Sequence, residues 1–424
     1  MSKLAVFGGE AVRTAPFPSW PVFDESEEKS LLEVLHSGQW WRYTMGEATE
    51  AIANTGTLRS TVAEFQEQFA QAHNARFGIA CATGMAALQV ALRALGVDRG
   101  DEVIVPAYTF IATATAPLAI GATPVFCDID YGTFNLSPES FEKAITPATR
   151  AVIPVHFAGV AADMEGIMAV ARKHNIMVLE DAAHAHGARW NGRGCGSIGD
   201  AGAFSFQFSK NMTAGEGGII TTNNLAVAEL CESYIWVGRK AGRPWYEHHR
   251  MGWNFRLTEF QGALLLEQLK RLARQTITRR ENSLYLSRQL SQIPGIRPLH
   301  ITDYAAEFAV HIYIFRFLAE TFGISRGDFV TALNAEGIPC LTGYSFPLYR
   351  NPLFQSGEIA HDYSRYSELC PNSERACKEA VWLEHRMFLG TRQDMDDIVS
   401  AVAKVYAARH SFESHRTELA STSF

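Results

Sequence analysis

Cysteine is scarce in this chain. It has seven in 424 residues, an odd number, and no CxxC pair. That excludes a disulfide framework and a structural zinc of ordinary spacing, and it fits a reducing cytoplasm. A basic surplus is also missing. Lys+Arg number 38 against Asp+Glu 45, a net charge of -7, so no nucleic-acid partner is expected. The segment from Met1 to Arg13 lacks the apolar core of a secretory signal. Val103 to Cys127 has no charged residue, but Pro106, Pro117 and Pro124 interrupt it. It reads as strand, loop, helix and strand in a buried core, not as a membrane span. There is no internal repeat and no low-complexity tract. With 47% apolar and 20% charged residues the chain is expected to fold. A length prior of roughly 150 residues per domain suggests two to three domains.

Short β-branched runs alternate with helical patterns through the middle of the chain. The runs are Glu102 to Val105, Pro124 to Cys127, Ala151 to Val155 and Ile176 to Leu179. Between them lie helical patterns over Ala112 to Ile120, Pro138 to Ile145 and Asp163 to His174. Ser137 is placed as an N-cap, with Pro138 at the first helical position. Repeated βαβ predicts a mainly parallel sheet with helices on both faces. Gly202 to Phe206 and Gly218 to Thr221 extend it. Thr258 to Ile293 predicts one long or broken helix leading to a second domain. That domain mixes strands such as His311 to Leu318 with helices and ends on Met395 to Ala408. The polar stretch Tyr43 to Ser60 is long for a connection, so it reads as a mobile loop or a lid. The tail after His410 reads as frayed.

One motif is a decoy. Gly194-Cys-Gly196-Ser-Ile-Gly199 matches GxGxxG, but a dinucleotide fingerprint must follow a strand and open a helix. This one runs into a strand instead. The chemistry is expected elsewhere. Lys210 stands just beyond an apolar strand and before the Gly-rich turn at 215–218. A lysine there is costly unless modified or paired, and a lowered pKa is what Schiff-base chemistry requires. The alternative is a surface loop lysine. Asp181 follows an apolar run, at the carboxyl end of a strand, where open α/β sheets bind ligands. A carboxylate there can keep a pyridinium nitrogen protonated, which makes pyridoxal phosphate (PLP) an electron sink. His184 could reach that ring, while His186 reads as structural. Thr83-Gly84-Met85 opens a helix whose N–H groups could hold a phosphate. Phe110, past another strand end, could stack on a planar cofactor or pack in the core. Phosphate turn, aromatic plate, acid and lysine thus fall in that order on successive strand ends.

With these residues in place, the chain resembles the DegT/DnrJ/EryC1/StrS sugar aminotransferase family from about residue 15 to 405. The similarity is carried by Gly100 to Pro106, Pro154 to Gly159, Glu180 to His184 and the Lys210 segment. The resemblance implies an α/β fold of the PLP-dependent transferase fold type I, aspartate aminotransferase-like. It implies a mainly parallel central sheet in a large PLP-binding domain, residues 1–268, and a smaller α+β C-terminal domain, residues 269–424. Lys210 would form the internal aldimine and move the proton between C4′ and Cα. Asp181 would pair with the ring nitrogen, Phe110 would stack, and His184 would stand beside the cofactor. Ser205 and the backbone at Gly84 and Met85 would hold the phosphate. Asn254, in Gly252-Trp-Asn-Phe-Arg256, would reach the phosphate of the partner subunit, giving a homodimer with shared active sites. One departure stands out: Met85 occupies the place where many members carry Thr or Ser, so a hydroxyl ligand is lost.

Ser37 to Arg42, His184 to Trp190, Met212 to Gly218 and Val381 to Arg386 resemble two branches of the family. One comprises cyclitol aminotransferases that use L-glutamine and an inosose. The other comprises 3-amino-5-hydroxybenzoate synthases. The expected activity is therefore amino transfer from L-glutamine or L-glutamate to a keto-cyclitol or keto-sugar, alternating PLP and pyridoxamine phosphate (PMP). A dehydratase/aromatase and a non-catalytic PLP-binding regulator are the alternatives. Trp40 and Trp41 would line the substrate pocket or lie in the core, and Tyr344 and His385 are further substrate-side candidates. No metal and no membrane are expected, and the compartment is cytoplasmic.

Overall fold

The computed structural model describes residues 3–41, 60–244, 246–359 and 361–412. The expected loop or lid at Tyr43 to Ser60 lies outside them except for Ser60, as does the tail from 413 onward.

Seven strands form the central sheet: β1 (Phe77–Cys81), β2 (Glu102–Pro106), β3 (Thr123–Cys127), β4 (Thr149–Val152), β5 (Met177–Asp181), β8 (Ala201–Ser205) and β9 (Gly218–Thr222). A two-stranded hairpin, β6 (Arg189–Trp190) and β7 (Arg193–Gly194), lies between β5 and β8 in the chain. The sheet order is β1-β9-β8-β5-β4-β2-β3. Pairs from β3 through β8 are parallel, whereas β9 runs antiparallel to both β8 and β1. Burial on both faces explains the near-continuous apolar runs, such as Val103, Ile104 and Val105, all 0% exposed. The connection between β8 and β9 is a non-helical loop, and it carries Lys210. A strand that returns without a crossover helix must run antiparallel.

Helices cover the sheet: α1 (Glu25–Ser37), α2 (Thr61–Ala72), α3 (Gly84–Ala94), α4 (Ala112–Ala119), α5 (Pro138–Ala144), α6 (Met164–His174) and α7 (Leu225–Ile235). Their starts are chemically marked. The side chains of Ser60, Thr83, Ser137, Asp163 and Asn224 each accept a first-turn N–H. The long helix is unbroken: α8 spans Glu259–Leu290, 32 residues, and opens with a capping box between Thr258 and Gln261. It packs on α1 and α2 and then runs on to a second, three-stranded sheet. That sheet is antiparallel, in the order β10 (Ile296–Pro298), β11 (Ile312–Phe317) and β12 (Ala380–Glu384). Helices α9 (Arg326–Ala335), α10 (Pro371–Glu379) and α11 (Arg392–Ala407) surround it. Phe315, Phe317, Phe322 and Phe329 fill its core with ring centroids 4.5 to 6.1 Å apart.

Candidate active site

The carboxyl ends of the parallel strands converge on one place. Asp181 ends β5 and is buried. Its Oδ2 accepts from the Thr113 hydroxyl at 2.8 Å and its Oδ1 from the Ala183 N–H at 3.2 Å. Burial raises its pKa, against the Thr113 and Ala183 hydrogen bonds and the charge of Lys210. Lys210 lies in the β8–β9 loop, where its backbone N–H turns back to the Gln207 carbonyl at 2.9 Å. Burial lowers the Lys210 pKa to about 8, and Asp181 opposes the shift. The two groups therefore share one electrostatic environment, with the lysine far closer to its free amine at neutral pH than a solvated one.

The first turn of α3 meets β8 beside them. A Cβ on Gly84 would stand 2.5 Å from the Ser205 Cβ and 3.0 Å from its Oγ, so glycine lets the turn close onto that hydroxyl. Thr83 caps α3 through Ala86, and the N–H groups of Gly84 and Met85 have no acceptor among the described residues. Two amides, one hydroxyl and the positive end of an 11-residue helix form a cradle for an anion. Phe110 is 56% exposed, a free aromatic face rather than core packing. His184 is buried with its Nδ1 unpartnered, and its ring lies 4.2 Å from His311. Burial pushes the His184 pKa well down, helped by Lys210 and His186, so the ring is neutral.

A profile of the DegT/DnrJ/EryC1/StrS aminotransferase family matches residues 42–403. The chain belongs to that family. L-glutamine:2-deoxy-scyllo-inosose aminotransferase of Streptomyces fradiae is 36% identical over 430 residues, covering 96% of this chain and 98% of that protein. Among solved structures, 3-amino-5-hydroxybenzoic acid synthase superposes with a TM-score of 0.84 at 34% identity, covering 94% of this chain and 100% of that one. NtdA from Bacillus subtilis, solved with bound cofactor PMP, gives 0.75 at 26% identity, covering 90% and 82%.

In this aminotransferase the remaining candidates fall into two groups. Tyr344 stands on the Lys210 side. Its ring lies 4.8 Å from Trp382 and 5.3 Å from Tyr108, and burial raises its pKa with a contribution from Asp181. His385 is also there, buried, 5.7 Å from His311 and 4.6 Å from Trp20. Trp40 and Trp41 are not core: they are 53% and 39% exposed. Trp40 touches Phe260 at 5.8 Å and Trp41 touches Trp236 at 5.7 Å. Asn254 is exposed and pairs with Trp236 in an isolated bridge, while the Phe255 carbonyl accepts the Ala82 N–H at 2.7 Å. Trp41 and Asn254 thus meet through Trp236, next to the segment that leads into α3.

Sequence reasoning missed Thr113, Asn211 and His311. Asn211 follows Lys210 directly; its Nδ2 donates to the Ala309 and Val310 carbonyls, and its Oδ1 lies 3.2 Å from His311 Nδ1. Since that oxygen only accepts, His311 is held with its proton on Nδ1. Thr113 lies one turn past Phe110, a spacing that could have pointed to the same face. His311 had no local signal. Among the described residues no cluster suits a metal ion, and no helix is long and apolar enough to cross a membrane.

Proposed function

We propose that this enzyme transfers an amino group from L-glutamine or L-glutamate to a keto-cyclitol or keto-sugar. The observation that carries the reading is the Lys210–Asp181 pair beside the empty-handed amides of α3. These residues suit PLP: the Gly84 and Met85 amides and the Ser205 hydroxyl match its phosphate, Asp181 its ring nitrogen, and Phe110 its ring face. When bound, PLP supplies the electron sink for cleaving a bond at the donor's α-carbon. Lys210 would hold the cofactor at its carbonyl carbon and serve as the proton carrier, and its lowered pKa suits both tasks. Thr113 and the Ala183 N–H orient Asp181. His184, neutral and tilted against His311, would confine the ring without adding charge. Tyr344 and His385 would face the substrate.

A homodimer with shared sites is part of the reading. Trp40, Trp41, Phe110 and Asn254 expose apolar and amide groups on one chain that a second chain would cover, bringing Asn254 to the partner's phosphate. The division into residues 1–268 and 269–424 is likewise a proposal, and it falls inside α8. A cytoplasmic location is supported by seven cysteines that are all free and buried.

The test is a half-reaction. The PLP-loaded protein is mixed with L-glutamine and no acceptor, and conversion to PMP is followed by absorption. Conversion is expected, and K210A should abolish it. No conversion with either donor in a PLP-loaded protein would sink amino transfer. Product analysis with 2-deoxy-scyllo-inosose then distinguishes the transferase from an enzyme that dehydrates an amino-cyclohexenone.

A further inference from the structure

Two buried arginines are treated in opposite ways. Arg13, 8% exposed, donates Nη1 to Asp394 and to Asp397, each at 2.7 Å. Its Nε reaches the Ala15 carbonyl at 2.7 Å and its Nη2 the Pro16 carbonyl at 2.9 Å. Arg279 on α8 is 0% exposed, and its Nε, Nη1 and Nη2 have no hydrogen-bond partner among the described residues. No carboxylate among the described residues pairs with it within 4 Å, while Trp20 lies under its Cζ at 5.2 Å. Other unpartnered atoms share this junction. Thr276 Oγ1, one turn earlier on α8, faces the tight turn at Gly187, and His385 Nδ1 lies beyond Trp20. Both nitrogens of His186, which feels the Arg279 charge, are unpartnered as well.

Burial alone lowers the Arg279 pKa, to about 9, so the guanidinium still carries its proton at neutral pH. A cation–π contact offsets part of the cost of burying the charge and satisfies none of the N–H groups. An unpaired buried ion costs several kcal/mol, and the neighbouring imidazoles are neutral. Water could fill the hydrogen bonds but not balance the charge. An anion does both.

We propose that Arg279, with Thr276 and His385 beside it, binds a small monovalent anion of halide or carboxylate size. Such an anion has two sources: the free solution, or the carboxylate of the amino donor. Trp20 links the two regions, because its Nε1 donates to the Phe208 carbonyl at 2.8 Å, two residues before Lys210, while its ring covers the guanidinium. The inference stands on the unpartnered guanidinium and does not need turnover.

Crystals of the full-length, PLP-loaded protein grown in bromide test it by anomalous scattering. A bromide peak within hydrogen-bonding distance of Arg279 is expected. Repeating the experiment with L-glutamine separates the sources: a carboxylate replacing the peak assigns the donor, and a retained peak assigns the free anion. Water alone at Arg279 in both crystals overturns the proposal. In solution, the wild-type Tm should be about 3 °C higher in bromide or formate than in gluconate of equal ionic strength. R279M should lose that difference. Equal Tm values for the wild type in all three salts count against the site. Should R279M fail to fold, the bromide maps of the wild type decide.

Discussion

Glu180 and Asp181 are neighbours on β5, and their side chains leave the strand on opposite faces. Glu180 is 0% exposed and fully engaged. It accepts from the N–H groups of Gly196, Ile198 and Gly199 at 2.8, 2.6 and 2.7 Å, and from His156 Nε2 at 2.8 Å. His156 Nδ1 accepts the Ala162 N–H at 3.1 Å, which fixes the ring as the Nε2–H tautomer. Asp181 has two donors among the described residues, and its environment includes a lysine with a lowered pKa. A buried acid whose acceptor sites are filled by its own chain is a rivet, and one left under-used is available to a ligand. The contrast also explains the GxGxxG decoy. The 194–199 turn is an anion cradle, and its anion is the protein's own Glu180.

The sharpest way to break this contrast is to neutralise each acid in turn. On the proposed reading D181N should lower kcat/KM by roughly a thousandfold, because the cofactor's ring nitrogen would lose its ionic partner, while unfolding free energy changes by less than about 1 kcal/mol. E180Q should do the reverse: a loss of about 3 kcal/mol in stability, with per-molecule activity of the folded fraction largely kept. Denaturant unfolding and steady-state kinetics on both variants decide. Equal stability losses would erase the distinction.

Acid is the next probe. His73 is buried on the Glu180 side of the molecule, and burial lowers its pKa to about 4 despite the Phe69 carbonyl. Its folded pKa lies below its unfolded value, so the fold binds fewer protons. The contribution is complete above pH 6.5 and is lost as pH falls towards 4, roughly 3 kcal/mol in all. His184, His186, His311 and His385 are shifted in the same direction. Stability should therefore fall steeply below pH 6.5, and H73F should flatten that slope. A slope unchanged by H73F would remove His73 from the account.

The smallest expected effect concerns the phosphate cradle. M85T restores a hydroxyl at the second position of α3 and should tighten PLP retention about fivefold, the value of one added hydrogen bond. Equilibrium dialysis of PLP measures it. Weaker retention would mean that Met85 contributes packing that the hydroxyl cannot replace.

The βαβ order could be read from the sequence because buried parallel strands need continuous apolar runs and their helices need polar caps. Lys210 and Asp181 stood out because a charge at the end of such a run has few uses. The reversed direction of β9 did not show, since Gly218 to Thr222 has the composition of a buried strand in either direction. Trp40 and Trp41 left substrate pocket and core equally open, and their partial exposure fits plain core poorly, because size alone does not place a Trp. His311 and Arg279 were silent because their meaning comes from contacts made across a hundred residues or, for Arg279, from contacts that the chain does not make.

The unbroken α8 also has a mechanical side. At 32 residues it is about 48 Å long, tied at one end through Glu259 to Ser60 and Thr61 at the start of α2 and reaching the smaller sheet at the other. It is a strut between the two sheets, braced along its length by α1, α2 and α11. Arg279 lies on that strut, so the counter-ion proposed there would sit in the element that joins the two sheets.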